Sequence, residues 1–175
     1  LNLLEYNSIE LNEHSFKNDL KFEDAIAMIS RLQNFSSKVG RDFGVKLSNT
    51  LPIKNKKKVL AGDEMYMSGR SLFPLTINVA LKLAKAFEGS LKISYSGGAA
   101  VYNTSDILSC GIFPITYATD LLKPGGYRRL TQIGNRIAEN RKEIFNREKV
   151  DLDKLRRLAE DSLTNPQYKK ETRIA

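Results

Sequence analysis

Two short segments rich in glycine and hydroxyl side chains have the composition of an anion-binding site. Ser96-Gly97-Gly98 ends the apolar run 91–95, and Ala118-Thr119 ends the apolar run 112–119. Glycine leaves backbone N–H groups unobstructed, and a helix starting a few residues later adds its positive dipole end. If the two runs are neighbouring strands, both segments face one point, as in the phosphate sites of many (β/α)8 barrels. The alternative is that the glycine pair only makes a tight turn.

A helix between the two runs would make them parallel. Asn103 or Thr104 can cap such a helix, Ile107 and Leu108 are its apolar positions, and Gly111 stands where a C-terminal glycine belongs. The run 112–119 is too continuous for a strand with one wet face. The pattern therefore predicts a βαβ unit with buried parallel strands.

The rest of the chain continues this alternation of strands and helices. Strands are predicted near 8–12 and over 42–50. Helices are predicted over 22–37, where Gly40 follows, from Pro74, from Leu130 through Ile144, and from Asp151 to Asn165-Pro166. We predict the α/β class, with four parallel β/α units that form half of a TIM-type (β/α)8 barrel and with extra C-terminal helices. The predicted divisions are 1–130 for the half barrel, 131–163 for the C-terminal helices and 164–175 for a linker toward a following domain.

Lys46 is the unusual residue of the strand over 42–50. It alternates with Val45 and Leu47, so in a closed barrel its side chain would point inward. An inward lysine is costly unless it meets an anion or a polar cofactor edge, and the alternative is a side chain that reaches water. The polar stretch 51–67, which follows this strand, is predicted to be a long loop of the kind that forms lids.

The composition narrows the class of protein. The lone Cys110 excludes an internal disulfide framework, fits a reducing, cytoplasmic location, and suits a core position better than a nucleophile. His14 is expected in a polar loop. No run reaches the roughly 18 apolar residues of a membrane span. The chain begins with Leu1 and shows no signal segment, which predicts a piece of a longer protein.

The net charge of +8 permits nucleic-acid binding. However, the basic residues are scattered among acids, and aromatic residues are not interleaved with them. We therefore expect a solvated surface or contact with an acidic neighbouring domain, and neither nucleic acid nor membrane as a partner.

Four segments, taken together and in order, carry a family resemblance. They are FGVKLSNT (43–50), MSGR (67–70), SGG (96–98) and ATDLLKPGGY (118–127). They resemble the C-terminal half of the FMN-binding barrel of the dihydroorotate and dihydropyrimidine dehydrogenases. They are more similar still to the barrel of the related selenate reductase-like subunits of the YgfK type. The resemblance covers about residues 8 to 130 and continues more weakly through DSLTNPQYKK (161–170).

The resemblance implies an FMN site at the C-terminal rim of the barrel. It implies that backbone N–H groups of the two segments 96–98 and 118–119 hold the FMN phosphate. The family's Ser-Gly before a helix matches Ser68-Gly69, and its Asn-Thr beside the flavin or substrate matches Asn49-Thr50. The family's flavin-contacting lysine belongs to an earlier strand than Lys46. The implied cofactor-binding residues are Lys46, Asn49, Thr50, Ser68, Gly69, Ser96, Gly97, Gly98, Ala118 and Thr119.

The resemblance also implies a role. The chain would be a fragment of a flavin-dependent oxidoreductase that supplies the FMN phosphate-binding part of the barrel for a small-molecule substrate. It would lack the family's catalytic base, a Cys or Ser in the N-terminal half. Iron–sulfur clusters and FAD are expected only in neighbouring redox domains.

Two further expectations concern partners and an alternative role. Half a barrel leaves two unpaired edges, so we expect the N-terminal half of the barrel or a second copy of this chain as a partner. The alternative function is a non-catalytic barrel scaffold that has lost the flavin and joins redox domains.

Overall fold

A three-stranded parallel sheet lies at the centre of the chain. In the computed structural model, which describes residues 1–58, 60–139, 141 and 148–170, its strands are β1 (Gly44–Leu47), β4 (Lys92–Ser96) and β5 (Ile115–Thr116), in the order β1-β4-β5. Strand β1 pairs in parallel with β4, and β4 pairs in parallel with β5. Two further strands, β2 (Leu51–Lys54) and β3 (Glu64–Met67), form a separate antiparallel pair. The parallel pairing confirms the predicted α/β class.

The described residues also form six α-helices. They are α1 (Glu13–Lys17), α2 (Phe22–Lys38), α3 (Phe73–Ala86), α4 (Thr104–Ser109), α5 (Arg128–Glu139) and α6 (Leu152–Thr164). Of these, α3, α4 and α6 contribute most of the buried helical side chains. Pro74 stands in the first turn of α3, where its missing N–H costs nothing. The Asp151 side chain caps α6 by accepting hydrogen bonds from the backbone N–H groups of Asp153 and Lys154, as expected. The residues predicted beyond 139 in the helix from Leu130, Ile144 among them, lie outside the described residues apart from residue 141.

The core lies between β4 and the helices that cover it. Ile93 and Tyr95 of β4 are almost completely buried, as are Ile77 of α3 and Leu155 of α6. Burying side chains of this size contributes about 1.5–3 kcal/mol each. Cys110 belongs to this core, with 1% of its surface exposed.

The opposite face of the sheet is polar. Lys46 of β1 pairs with Ser94 of β4, and Ser96 pairs with Thr116 of β5. Lys46 and Thr116 are exposed, and the two serines are half-buried. This is the face that points inward when a β/α sheet closes into a barrel.

The stretch 51–67 is not the structureless loop that we predicted. Leu51 and Ile53 alternate along β2, and their partners across the hairpin are Met67 and Met65. This period-2 pattern was hidden by the lysine-rich turn between the strands, although side chains on one face of a hairpin pack together.

The predicted first strand is also corrected. Leu11 makes an isolated antiparallel bridge to Ile53 of the hairpin and does not join the parallel sheet. The parallel sheet in the described residues therefore has three strands rather than four. His14, predicted in a loop, lies on the short helix α1 and is exposed.

Three other predictions need changes in detail. The strand predicted over 112–119 is reduced to two residues, because Pro114 has no N–H to donate to the sheet. The apolar stripe of α2 is largely uncovered: Ile29 is buried, but Met28 and Leu32 are exposed. Tyr168, inside the predicted linker, is buried, so residues 165–170 belong to the folded unit.

None of the helices in the described part of the chain has the length and apolar character that crossing a membrane requires.

Candidate functional site

A small cleft at the C-terminal ends of the parallel strands brings most of the predicted site residues together. Its volume is about 110 Å³. Of the ten predicted residues, the structure places in its lining Asn49, Thr50, Ser68, Gly69, Ser96, Gly97, Gly98, Ala118 and Thr119. Ser48, Leu72, Ala99 and Thr116 complete the lining. Three larger grooves lie elsewhere in the described residues, along α2, at the N-terminal end of β4 and between α4 and α6.

The turn after β4 requires glycine at two consecutive positions. Gly97 and Gly98 have φ values of +125° and +74°, a region that other residues adopt at a cost. A Cβ atom on Gly98 would lie 2.6 Å from the carbonyl oxygen of Gly69 and 2.8 Å from the backbone nitrogen of Phe73. The glycine pair is therefore a close contact with the backbone of the segment 69–73 as well as a turn.

Ser68-Gly69 lies between the two strand ends. A Cβ atom on Gly69, at φ +70°, would lie 2.9 Å from the Thr119 methyl group. The Thr119 hydroxyl donates a long hydrogen bond of 3.4 Å to the Ser68 hydroxyl. The segments after β4 and β5 thus meet through the turn that opens α3, and their hydroxyl groups face one cleft.

A hydroxyl pair that was not predicted from the sequence supports the glycine turn from the helix side. Ser48 and Thr76 are hydrogen-bonded through their side chains at 2.6 Å, and Thr76 is almost fully buried. A Cβ atom on Gly97 would lie 2.6 Å from the Thr76 hydroxyl. The apolar periodicity of α3 does not distinguish Thr76 from the other residues of the helix, so its contact with the glycine turn could not be predicted.

Asp120 joins the two strand ends from behind. Only 4% of its surface is exposed, and its carboxylate accepts a hydrogen bond of 3.3 Å from the backbone N–H of Val101, three residues after Gly98. Lys123 and Arg129 lie 3.5 Å and 3.8 Å from the same carboxylate. The acid of the segment ATDLLKPGGYRR (118–129) is therefore neutralised by two bases of the same segment.

Asn103 has a different role from the predicted one. Its side chain does not cap α4 but reaches back to the glycine turn. The amide Nδ2 donates to the Gly98 carbonyl at 3.0 Å, and Oδ1 accepts from the backbone N–H of Ala100 at 2.8 Å. A buried amide with both ends hydrogen-bonded fixes the backbone that it bridges.

Lys46 is the one predicted residue that does not line the cleft. It is exposed on the polar face of the sheet, beside Ser94. Asn49 and Thr50, which follow it, are exposed at the cleft, with the Thr50 N–H donating to the Asn49 side chain at 3.1 Å.

The cleft is suited to hold an anion and has no acid–base group of its own. Its lining consists of hydroxyl, amide, glycine and apolar residues. Arg70 directly follows Gly69. Burial raises the pKa of Tyr102 to about 12, and the positive charge of Arg70 opposes this rise. In the part of the chain that is described, no His, Cys, Asp and Glu side chains group as metal ligands would.

Comparisons with known proteins agree with this architecture. The family model "Oxidoreductase YgfK, N-terminal TIM-barrel domain" matches residues 1–170. "Putative oxidoreductase YgfK" of Escherichia coli strain K12 is 49% identical over 164 residues, which is 94% of this chain and 16% of that protein. The protein of the same name from Escherichia coli O157:H7 gives the same identity and coverage. The chain therefore spans about one sixth of the length of these relatives. No solved structure gives a significant match.

Proposed function

This chain belongs to the YgfK N-terminal TIM-barrel family, and from that premise we propose that it supplies the FMN phosphate-binding part of a flavin-dependent oxidoreductase. The relatives named as oxidoreductases support the reaction class. The observation that carries the proposal is the convergence of nine predicted residues, from four separate segments, in one cleft.

The size of the cleft fits a phosphate group rather than a whole flavin. A sphere of 110 Å³ is about 6 Å across, whereas pockets that enclose a drug-sized molecule occupy about 300–1,000 Å³. Glycine at positions 97 and 98 keeps side chains away from the backbone there, so an anion can approach the N–H groups. The hydroxyls of Ser68, Ser96 and Thr119 would add further donors.

FMN, when bound, accepts and releases hydride, and the protein contributes binding and electrostatics. We assign the phosphate to the segments 96–98 and 118–119, with Ser68-Gly69 between them. The flavin ring would then extend past Asn49 and Thr50, toward the polar face that carries Lys46. The residues lining the cleft would bind and orient the cofactor, and the catalytic base would come from outside this chain.

The open polar face of the sheet supports the proposed partners. In the described part of the chain, strands β1 and β5 are the edges of the parallel sheet, where a further strand can pair. We propose that the N-terminal half of the barrel pairs there and places the small-molecule substrate over the flavin. Neighbouring redox domains would carry the iron–sulfur clusters and FAD.

The test is direct. The purified full-length protein should show flavin absorbance, and FMN should be among the cofactors released on denaturation. Apoprotein should bind FMN more tightly than riboflavin, which lacks the phosphate. Release of no FMN, together with failure of the apoprotein to bind it, would overturn the proposal. The alternative is a flavin-free scaffold, for which neither release nor binding of FMN is expected.

A further inference from the structure

Tyr168, near the C-terminal end of the described residues, lies behind the glycine turn and is joined to it through Phe73. Tyr168 lies in a short 3-10 turn, Pro166–Tyr168, and is 97% buried by its surroundings, with 3% of its surface exposed. Its ring stacks on Phe73, with centroids 4.5 Å apart and planes 13° from parallel. Phe73 is the residue on which the backbone of Gly98 packs.

The same turn is also held by a buried amide. The Asn103 side chain, fully buried, accepts a hydrogen bond from the Ala100 N–H and donates one to the Gly98 carbonyl. The Gly98 backbone therefore contacts both Asn103 and Phe73, and Tyr168 reaches it through Phe73.

We infer that Tyr168 is a positioning residue for phosphate binding, acting through Phe73 on the turn Ser96-Gly97-Gly98. This inference rests on the proposed function of the cleft. Tyr168 does not line the cleft, so its effect is on the orientation of the N–H groups rather than on contact with the anion. Backbone N–H groups bind an anion well only when they are held in the required direction.

The segment that carries Tyr168 is itself fixed at several points. Asn165 accepts a hydrogen bond from the backbone N–H of Gln167 at 2.9 Å. The Tyr6 hydroxyl donates to the Tyr168 carbonyl at 3.1 Å, and the Lys170 N–H donates to the Leu4 carbonyl at 3.0 Å. Any shift of the segment 165–170 is therefore transmitted to the turn, so the position of this segment and the affinity for phosphate are coupled.

The experiment measures phosphate recognition separately from overall stability. FMN and riboflavin are titrated into full-length apoprotein, and the ratio of the two dissociation constants reports the phosphate contribution. Tyr168→Leu removes the ring that stacks on Phe73 and keeps an apolar side chain in the core. Because Phe73 loses its stacking partner, we expect the ratio to fall about three- to tenfold. Tyr102→Leu is the matched control, since its ring lies in the same aromatic cluster, 5.9 Å from that of Tyr168, and its ratio should not change.

A second variant covers the case in which Tyr168→Leu does not fold. Asn165→Ala leaves the aromatic cluster intact and loosens only the turn that carries Tyr168, so the ratio should fall in the same direction by a smaller factor. A lower melting temperature with an unchanged ratio in the variants that fold would show that Tyr168 is structural, and would overturn the inference. If the unsubstituted protein does not distinguish FMN from riboflavin, the proposed function fails first, and the inference fails with it.

Discussion

A single added charge at Ala118 tests where the phosphate binds. Ala118 lines the cleft and its side chain is exposed, so a larger residue fits there without disturbing the core. Gly98 is unsuitable for this purpose, because even a Cβ atom there would collide with the backbone of Gly69 and Phe73. We therefore compare Ala118→Asp with Ala118→Asn, which have nearly the same shape and differ in charge.

The expected magnitude follows from the size of the cleft. A carboxylate at its rim would lie about 5–6 Å from a bound phosphate, given a cleft about 6 Å across. Two unit charges at that separation repel by about 1 to 3 kcal/mol, depending on how well water screens them. The Asp variant should therefore bind FMN about 5- to 150-fold more weakly than the Asn variant.

The assay is titration of apoprotein followed by flavin fluorescence, with two internal checks. Riboflavin has no phosphate, so the two variants should bind it equally. Raising the salt concentration to about 1 M shortens the Debye length to about 3 Å and should narrow the difference for FMN. If the Asp and Asn variants bind FMN equally at low salt, the phosphate does not bind in this cleft and the assignment of the site is wrong.

Three further predictions concern stability and assembly. Gly126→Ala should lower the free energy of unfolding, measured by chemical denaturation, by about 2–4 kcal/mol, because the new Cβ would lie 1.7 Å from the Leu121 carbonyl oxygen. Gly134→Ala is the control and should be neutral or stabilising, since a Cβ at that position of α5 meets open space. Equal losses of stability in the two variants would contradict the predicted clash at Gly126. Lys54 and Lys56 lower the pKa of Glu10 to about 2, below its ordinary value of 4.5, so the stabilisation by Glu10 is complete above about pH 4.5 and is lost as pH falls toward 2. Glu10→Gln should therefore be less stable than the unsubstituted protein at pH 7, and the difference in the free energy of unfolding should disappear near pH 2. A difference that stays constant over this pH range would refute the prediction. Expressed alone, the chain should self-associate through the edge strands β1 and β5, which light scattering would detect as a molar mass above that of the monomer. A monomer with a sharp, reversible unfolding transition would contradict this prediction.

The sequence predicted the parallel core because local and long-range signals agree there. The apolar runs that became β4 and β5 are bounded by glycine and proline, and α3 has a regular apolar face. The residues around the cleft were predictable because glycine pairs and hydroxyl groups at strand ends are local features. The local patterns predicted only the two strand ends, 96–98 and 118–119, at one site. The turn that opens α3 adds Ser68-Gly69 to the same cleft by bringing them between those strand ends.

The parts that were not predicted depend on distant contacts. The hairpin is anchored from outside: Glu64 accepts hydrogen bonds from Asn12 and Ser15, about fifty residues earlier. Asp120 and Asn103 are ordinary turn or cap residues by sequence, and only the fold shows that they bridge backbone segments. Tyr168 lies in a polar tail whose composition is typical of a linker, yet a single aromatic ring with a partner in the core was enough to fold it back.

The hairpin has a consequence for how such a chain can be altered. It leaves the cleft at Thr50 and returns at Ser68, so both of its ends lie at the cleft while its turn residues do not line it. Changes of length at the exposed tip, residues 56–58, leave the register of the parallel sheet untouched, because the added residues never cross from one parallel strand to another. The tip is therefore a suitable insertion point for a peptide tag or a fluorescent reporter. Because the chain contains no tryptophan, a single tryptophan introduced at the tip would be the sole source of tryptophan fluorescence from this chain.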